Sequence, residues 1–226
     1  MIPVFCVALT FDDGYIEHYR VARLLNRLGI KATFFIITHL TRFEGKRLLT
    51  SRPKLIEEIN QMGHQIGSHT KTHPNLTSIP LHKVEEEARE SKQLLEDLTG
   101  NEVRGFAYPY GAYNTNIVNI IGKHYEYARG SGANPSESPF NAETKNRYIL
   151  GVFAKGAKDI RRILQLPTKL IEHGPSTCIR IAIMMHKESL SEILALITYL
   201  RLLPGETRFL TMSELLELSR NGTCSI

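Results

Sequence analysis

Short apolar runs alternate with amphipathic segments along nearly the whole chain. Val4 to Leu9 reads as a buried strand, after which Val21, Leu24, Leu25 and Leu28 recur at helical spacing and stop at Gly29. "ATFFII" (32–37) is a second strand, and "RPKLIEEINQMG" (52–63) a second helix ended by glycine. "HQIGS" (64–68) follows as a short strand, and "PLHKVEEEARESKQLLEDLTG" (80–100) as a long helix. Val84, Ala88, Leu94, Leu95 and Leu98 mark its apolar side.

The alternation continues with strand-like "VRGFAY" (103–108), helical "NTNIVNIIGKHY" (114–125), then "EYARG" and "YILGVF" (148–153). A helix over 157–174, the strand "IRIAIMM" (179–185) and a helix over 188–202 come next. "RFLTMSELLEL" closes with a strand and a short helix whose N-cap is Thr211. Six to eight such βα units imply an α/β architecture on a parallel sheet, in a single domain spanning 1–226. A barrel is favoured over an open sheet, because no Gly-rich nucleotide loop follows the first strand. Residues 130–146, rich in Ser, Asn, Gly and Pro, break the rhythm with a long loop.

Composition narrows this only slightly. The 226 residues are 42% hydrophobic and 23% charged, enough for one sizeable core. The formal charge of +5 is scattered, with "DIRRIL" its densest cluster, so no nucleic-acid stripe with interleaved aromatics is present. Cys6, Cys178 and Cys224 lack any C-x-x-C spacing, and the first two read as core residues. No apolar stretch reaches the roughly 18 residues of a membrane span. The first strand starts too early for a signal peptide, so a cytoplasmic address is expected.

The candidate chemistry sits where strands end. In an α/β fold the C-terminal ends of parallel strands carry the site. Asp12 and Asp13 lie at one such end, "SHTKTHP" (68–74) at another, "AYPYG" (107–111) at a third and His186 at a fourth. His69 and His73 are spaced i, i+4, so one helical turn would set both imidazoles on one side. Two imidazoles and one carboxylate make a three-ligand set that leaves a divalent ion an open position. The neighbouring aspartate is then free to act as a base. The adjacent acids also suit a phosphoacceptor pocket of receiver type, although the later strand ends fit that poorly. His64, five residues from His69, falls on the opposite strand face and reads as structural, and the other five histidines, His18 included, read as surface or packing residues.

These segments resemble the polysaccharide deacetylase family (carbohydrate esterase family 4). "TFDDG" (10–14) is similar to its first motif and "GHQIGSHTKTHPNL" (63–76) to its second. "FAYPYG" (106–111), "IMMH" (183–186) and "RFLTMSELLE" (208–217) resemble later ones. The resemblance implies a distorted (β/α) barrel of about seven strands around one divalent ion. That ion would be Zn²⁺, or alternatively Co²⁺, Ni²⁺ or Mn²⁺. It further implies that Asp13, His69 and His73 bind the metal, Asp12 is the general base and His186 the general acid. The backbone N–H of Tyr110 would help hold the oxyanion.

The implied reaction removes an N-acetyl or similar acyl group from an amino sugar or related linear amide. The substrate would be a small molecule or an oligosaccharide, and Tyr108, Tyr110 and Tyr113 could stack on a sugar ring. Two departures stand out. Ala107 occupies the position where the third motif often carries an arginine that pairs with the base, and Arg104 faces the wrong way to replace it. Arg129 is the substitute candidate on the substrate and oxyanion side. The aspartate and tryptophan that orient the acid histidine have no match, leaving Glu137, Glu143 and Asp159 as possible orienters. A barrel that binds carbohydrate without turnover is therefore the alternative.

Overall fold

The structure, a computed structural model, describes residues 4–131, 154–155, 159, 163–164 and 178–221. The strands expected over 148–153 and nearly all of the helix over 157–174 lie outside them, as do Cys224, Glu137 and Glu143. Strands β1 (Val4–Phe11), β2 (Thr33–Ile36), β5 (Gln65–Ser68), β6 (Gly105–Ala107), β7 (Tyr127–Arg129), β8 (Ala154–Lys155), β9 (Cys178–Met185) and β10 (Glu206–Leu210) form one parallel sheet. Its order is β7-β6-β5-β2-β1-β9-β8. β10 pairs with β1 over Val4–Ala8, and β2 takes over at Thr10 and Phe11. The result is a curled, barrel-like parallel sheet with helices around it, as the sequence implies.

Burial on both faces explains why the strands read as continuous apolar runs: β1 is buried from Phe5 to Phe11, and β2 throughout. Side chains alternate. Phe5, Val7, Leu9 and Phe11 join the cluster beneath the helices, with Phe34, Ile36, Phe106, Ile181, Ile183 and Met185. Cys6, Ala8, Phe35, Ala107, Tyr127, Ala182 and Met184 form a separate inner cluster. Period-two alternation carries that inner parity on to Asp12, Arg129 and His186. The chemistry-bearing residues are thus extensions of the concave face.

Helix α1 (His18–Arg27) buries His18, Val21, Ala22 and Leu25, a stripe shifted one turn back from the expected one. Helices α2 (Lys54–Gln61), α3 (Leu81–Thr99) and α4 (Thr115–His124) follow on the same layer. α3 stops at Gly100 in the left-handed region (φ 67°). Helix α5 (Leu190–Arg201) begins with a Ser189–Glu192 capping box. Thr211 caps α6 (Met212–Asn221), its Oγ1 accepting from the Glu214 N–H while Glu214 accepts from the Thr211 N–H. α6 inserts Met212, Leu215 and Leu218 into the inner cluster. One element was not anticipated: an antiparallel hairpin of β3 (Arg42–Phe43) and β4 (Lys46–Arg47). Its two-residue loop, Glu44 (φ 44°) and Gly45 (φ 76°), has positive φ at both positions, as a type I′ hairpin turn requires. No described helix is long and apolar enough to cross a membrane.

Candidate metal centre and active site

The turn after β1 sets the first two functional side chains. Asp13 (φ 72°) and Gly14 (φ 75°) are both left-handed, which swings the chain away as soon as the strand ends. Asp12 keeps strand pairing, its N–H donating to the Met185 carbonyl at 2.9 Å. The adjacent acids therefore diverge in role although both are buried.

Asp13 Oδ1 lies 3.5 Å from His69 Nε2 and 3.5 Å from His73 Nε2, and the two Nε2 atoms are 3.2 Å apart. A tetrahedral ion with ligand bonds of zinc length would separate its donors by about 3.3–3.4 Å. The three atoms match one face of such a tetrahedron. His69 Nδ1 donates to the Ala107 carbonyl at 2.8 Å, which leaves Nε2 as the lone-pair atom turned to the site. His73 is held differently, its ring packed against Phe43 and Tyr110 with centroids 4.5 and 4.7 Å away. The residues present fit a divalent cation with N/O preference.

Electrostatics point the same way. Burial alone would raise the Asp13 pKa, but the hydrogen bond and charge of His69, with His186 and His73, hold it well below the usual carboxylate range. Burial would lower His69, yet Asp13 and Asp12 push it up. His73 falls to about 4, through burial and then its neighbour His69. The cluster favours one positive charge among its carboxylates and cannot carry two imidazolium ions.

One expectation fails here: residues 69–73 are not a helical turn. Thr70 (φ 69°) and His73 (φ 58°) are left-handed, and the imidazoles converge through a tight loop instead. The five consecutive N–H groups each find an acceptor: Ile36 O for His69, Ser68 Oγ for Thr70, Glu87 for Lys71 and Thr72, and Thr70 Oγ1 for His73.

Arg129 is fully buried and ion-paired with Asp12 Oδ1. It also stacks over the Phe35 ring at 4.8 Å and donates to the Gly130 carbonyl. Strand register places it: Arg129 is the direct partner of Ala107 on the neighbouring strand. The small side chain at 107 leaves the inner-face space that the guanidinium fills. Arg104, of opposite parity, pairs outward with Glu126 and Glu217.

His186 follows β9, the strand beside β1, with its side chain 40% exposed and its Nε2 3.9 Å from Asp12 Oδ2. Its backbone is clamped on both sides. The carbonyl accepts from His18 Nε2 at 2.7 Å, and the N–H donates to Glu188 at 2.7 Å. Burial depresses the His18 pKa to about 4, so the ring is neutral, with its proton on Nε2. Asp159 is not among the residues that line the cleft.

Around these groups lies a cleft of about 400 Å³, closed by Phe43, Glu44, Tyr108, Tyr110, Met184 and Lys187. Tyr110 (φ 59°) is 64% exposed at its rim, whereas Tyr108 is buried. The hairpin brings Glu44 into an ion pair with Lys187, over the ring of Tyr15. The wall built by Phe43, Glu44 and Lys187 was missed in the sequence, where only the glycine of "FEGK" signals a turn. His64 is structural, accepting from the Ala32 N–H and donating to the Ala22 carbonyl.

The sequence profile of a family described as polysaccharide deacetylase matches residues 3–127. A putative polysaccharide deacetylase of Bacillus subtilis, YxkH, is 34% identical over 119 residues, which are 52% of this chain and 41% of that protein. A chitooligosaccharide deacetylase of Azorhizobium caulinodans is 33% identical over 120 residues, 52% of this chain and 53% of the other. The matched region thus spans about half, or less, of these relatives' length. Among solved structures, a T48 deacetylase with substrate superposes with a TM-score of 0.62 at 22% identity, covering 94% of this chain and 90% of the other. A CE4-family pseudoenzyme from Bacillus anthracis gives 0.62 at 19% identity, over 93% and 65%. At these identities the superpositions show a shared fold.

Proposed function

This chain belongs to the polysaccharide deacetylase family, and we propose that it is a metal-dependent hydrolase of N-acyl amino sugars or related linear amides. The observation that carries the reading is the Asp13, His69 and His73 triangle with a second carboxylate, Asp12, beside it. Asp13, His69 and His73 would hold the ion, zinc being the cation that best suits one carboxylate and two imidazoles. When bound, such an ion supplies Lewis acidity and makes water a stronger acid.

The chain's own residues divide the remaining work. Asp12 has Oδ1 committed to Arg129, which leaves Oδ2 to accept a proton from the attacking water. That water's oxygen bonds to the acyl carbon as the C–N bond breaks. His186, beside Asp12 at the end of the neighbouring strand, delivers a proton to the departing nitrogen, giving a carboxylic acid and an amine. The N–H of Tyr110, whose backbone is left-handed at the cleft rim, would donate to the developing oxyanion. The exposed Tyr110 ring offers a flat face to a sugar. Arg129 takes the part of the arginine that Ala107 cannot supply, and this supports turnover over a barrel that only binds.

The test is acetate and amine release from a panel of N-acetylated amino sugars, with zinc and with chelator. Asp12→Asn should retain the metal and lose about 10²-fold or more in rate. Ligand-induced stabilisation with no product from any substrate would favour the binding barrel. Full activity in Asp12→Asn would remove that residue from the mechanism.

A further inference from the structure

The loop that carries His69 and His73 is shaped by a carboxylate outside the cleft. Glu87 lies on the buried side of α3, with Val84, Ala88, Ser91 and Leu95, and is 8% exposed. One of its oxygens accepts from the N–H groups of both Lys71 and Thr72, each at 2.8 Å. The other accepts from Thr72 Oγ1 at 2.6 Å. A carboxylate only accepts, so three convergent donors suit it, and they offset the cost of burying it.

We propose that Glu87 is a positioning residue for the metal ligands, holding the strained loop in the shape that brings His69 and His73 together; this rests on the metal-site reading above. Thr70 and His73 both sit in the left-handed region, unfavourable for any side chain and more so for a β-branched one. Such a loop persists only if its surroundings over-determine it. The carbonyls of Thr70 and Lys71 are taken by the N–H groups of Thr38 and His39. Two of the five amides from 69 to 73 depend on Glu87 alone. Without it they lose their acceptor within the protein, and the loop is freer to relax away from the geometry that zinc requires. The residue does not line the cleft, so its effect reaches the metal through the backbone of the two ligands.

Zinc affinity, measured by competition with a chromophoric chelator, tests this without any need for turnover. Glu87→Ala should weaken binding about 10–100-fold, the range for outer-shell partners of metal ligands. Glu87→Gln should stay within about threefold, because its amide oxygen can accept both N–H groups while its NH₂ donates to Thr72 Oγ1. Val84→Ala, on the same helix and with no side-chain hydrogen bond to offer the loop, should lower the melting temperature and leave the affinity alone. Should Glu87→Ala not fold, Thr72→Val removes one of the three bonds and should cost about threefold. Wild-type affinity in folded Glu87→Ala or Thr72→Val would overturn the proposal while leaving the metal site standing. Equal, weak binding by wild type and His73→Ala would overturn both.

Discussion

The guanidinium of Arg129, at the end of β7, meets the carboxylate of Asp12, at the end of β1. Three strands lie between them in the sheet order. In a flat sheet, four strand spacings would hold the two backbones about 19 Å apart. Contact is possible because the sheet curls and both residues share the concave parity, and the small side chain of Ala107 clears the way. The ion pair therefore reports the curvature of the fold as well as the chemistry of the site.

Removing one member of this pair leaves an uncompensated charge in the interior. Arg129→Met should destabilise the protein by about 3–5 kcal/mol in urea denaturation. Adding Asp12→Asn should recover much of that loss, giving strong coupling in a double-mutant cycle. Additive effects would show that the two side chains do not depend on each other.

Zinc should stabilise the folded chain through the three-ligand site. At a free concentration 100 times the dissociation constant the gain is about 2.7 kcal/mol. Asp13→Ala, His69→Ala and His73→Ala should each abolish the shift in melting temperature, whereas Asp12→Asn should keep it. A shift retained in His73→Ala would place the ion elsewhere.

His18 is buried and neutral, with its pKa lowered by burial from the ordinary 6.5 to about 4. Below pH 6.5 the unfolded chain binds a proton that the folded chain refuses. Stability is thus lost as pH falls from 6.5 towards 4, with on the order of 3 kcal/mol at stake. His18→Phe, whose ring can take the same place among Phe11, Tyr15 and Phe34, should flatten that slope. Equilibrium unfolding at pH 7, 5.5 and 4.5 measures it, and an unaltered slope in the variant would assign the effect to other groups.

Gly14 is constrained twice. Its φ of 75° disfavours a side chain, and an added Cβ would lie 3.0 Å from Ile36 Cγ2 and 3.3 Å from its Cα. Gly14→Ala should cost about 1–3 kcal/mol and weaken zinc binding, because the same turn aims Asp13. Unchanged zinc affinity in the folded variant would show that Asp13 is aimed by β1 alone.

Much of this was legible in the chain. Continuous apolar runs ending in acids or histidines marked buried parallel strands and the rim where they stop, and Asp13, His69 and His73 do converge there. The helical reading of the 69–73 spacing failed because i, i+4 is equally served by a left-handed loop, and nothing in "HTKTH" reports φ. Glu87 was hidden for a related reason: its helix shows an apolar stripe, and a buried acid within that stripe looks like a surface residue until its donors are located. Its place at a strand end makes Arg129 a substitute candidate, but only register shows that it neighbours Ala107. The hairpin at 42–47 has strands of two residues, too short to leave a period.

β1 is flanked by β9 along its whole length and by β10 along its first half, both contributed by the last quarter of the chain. A ribosome delivers Asp12 and Asp13 well before the strands that brace them. Until residue 206 and beyond have emerged, the nascent β1 keeps open edges and its acids lack their enclosure. Folding of this sheet must therefore return to its first strand late, so that long-range pairing sets its speed and loss of β10 is felt at the acids that follow β1.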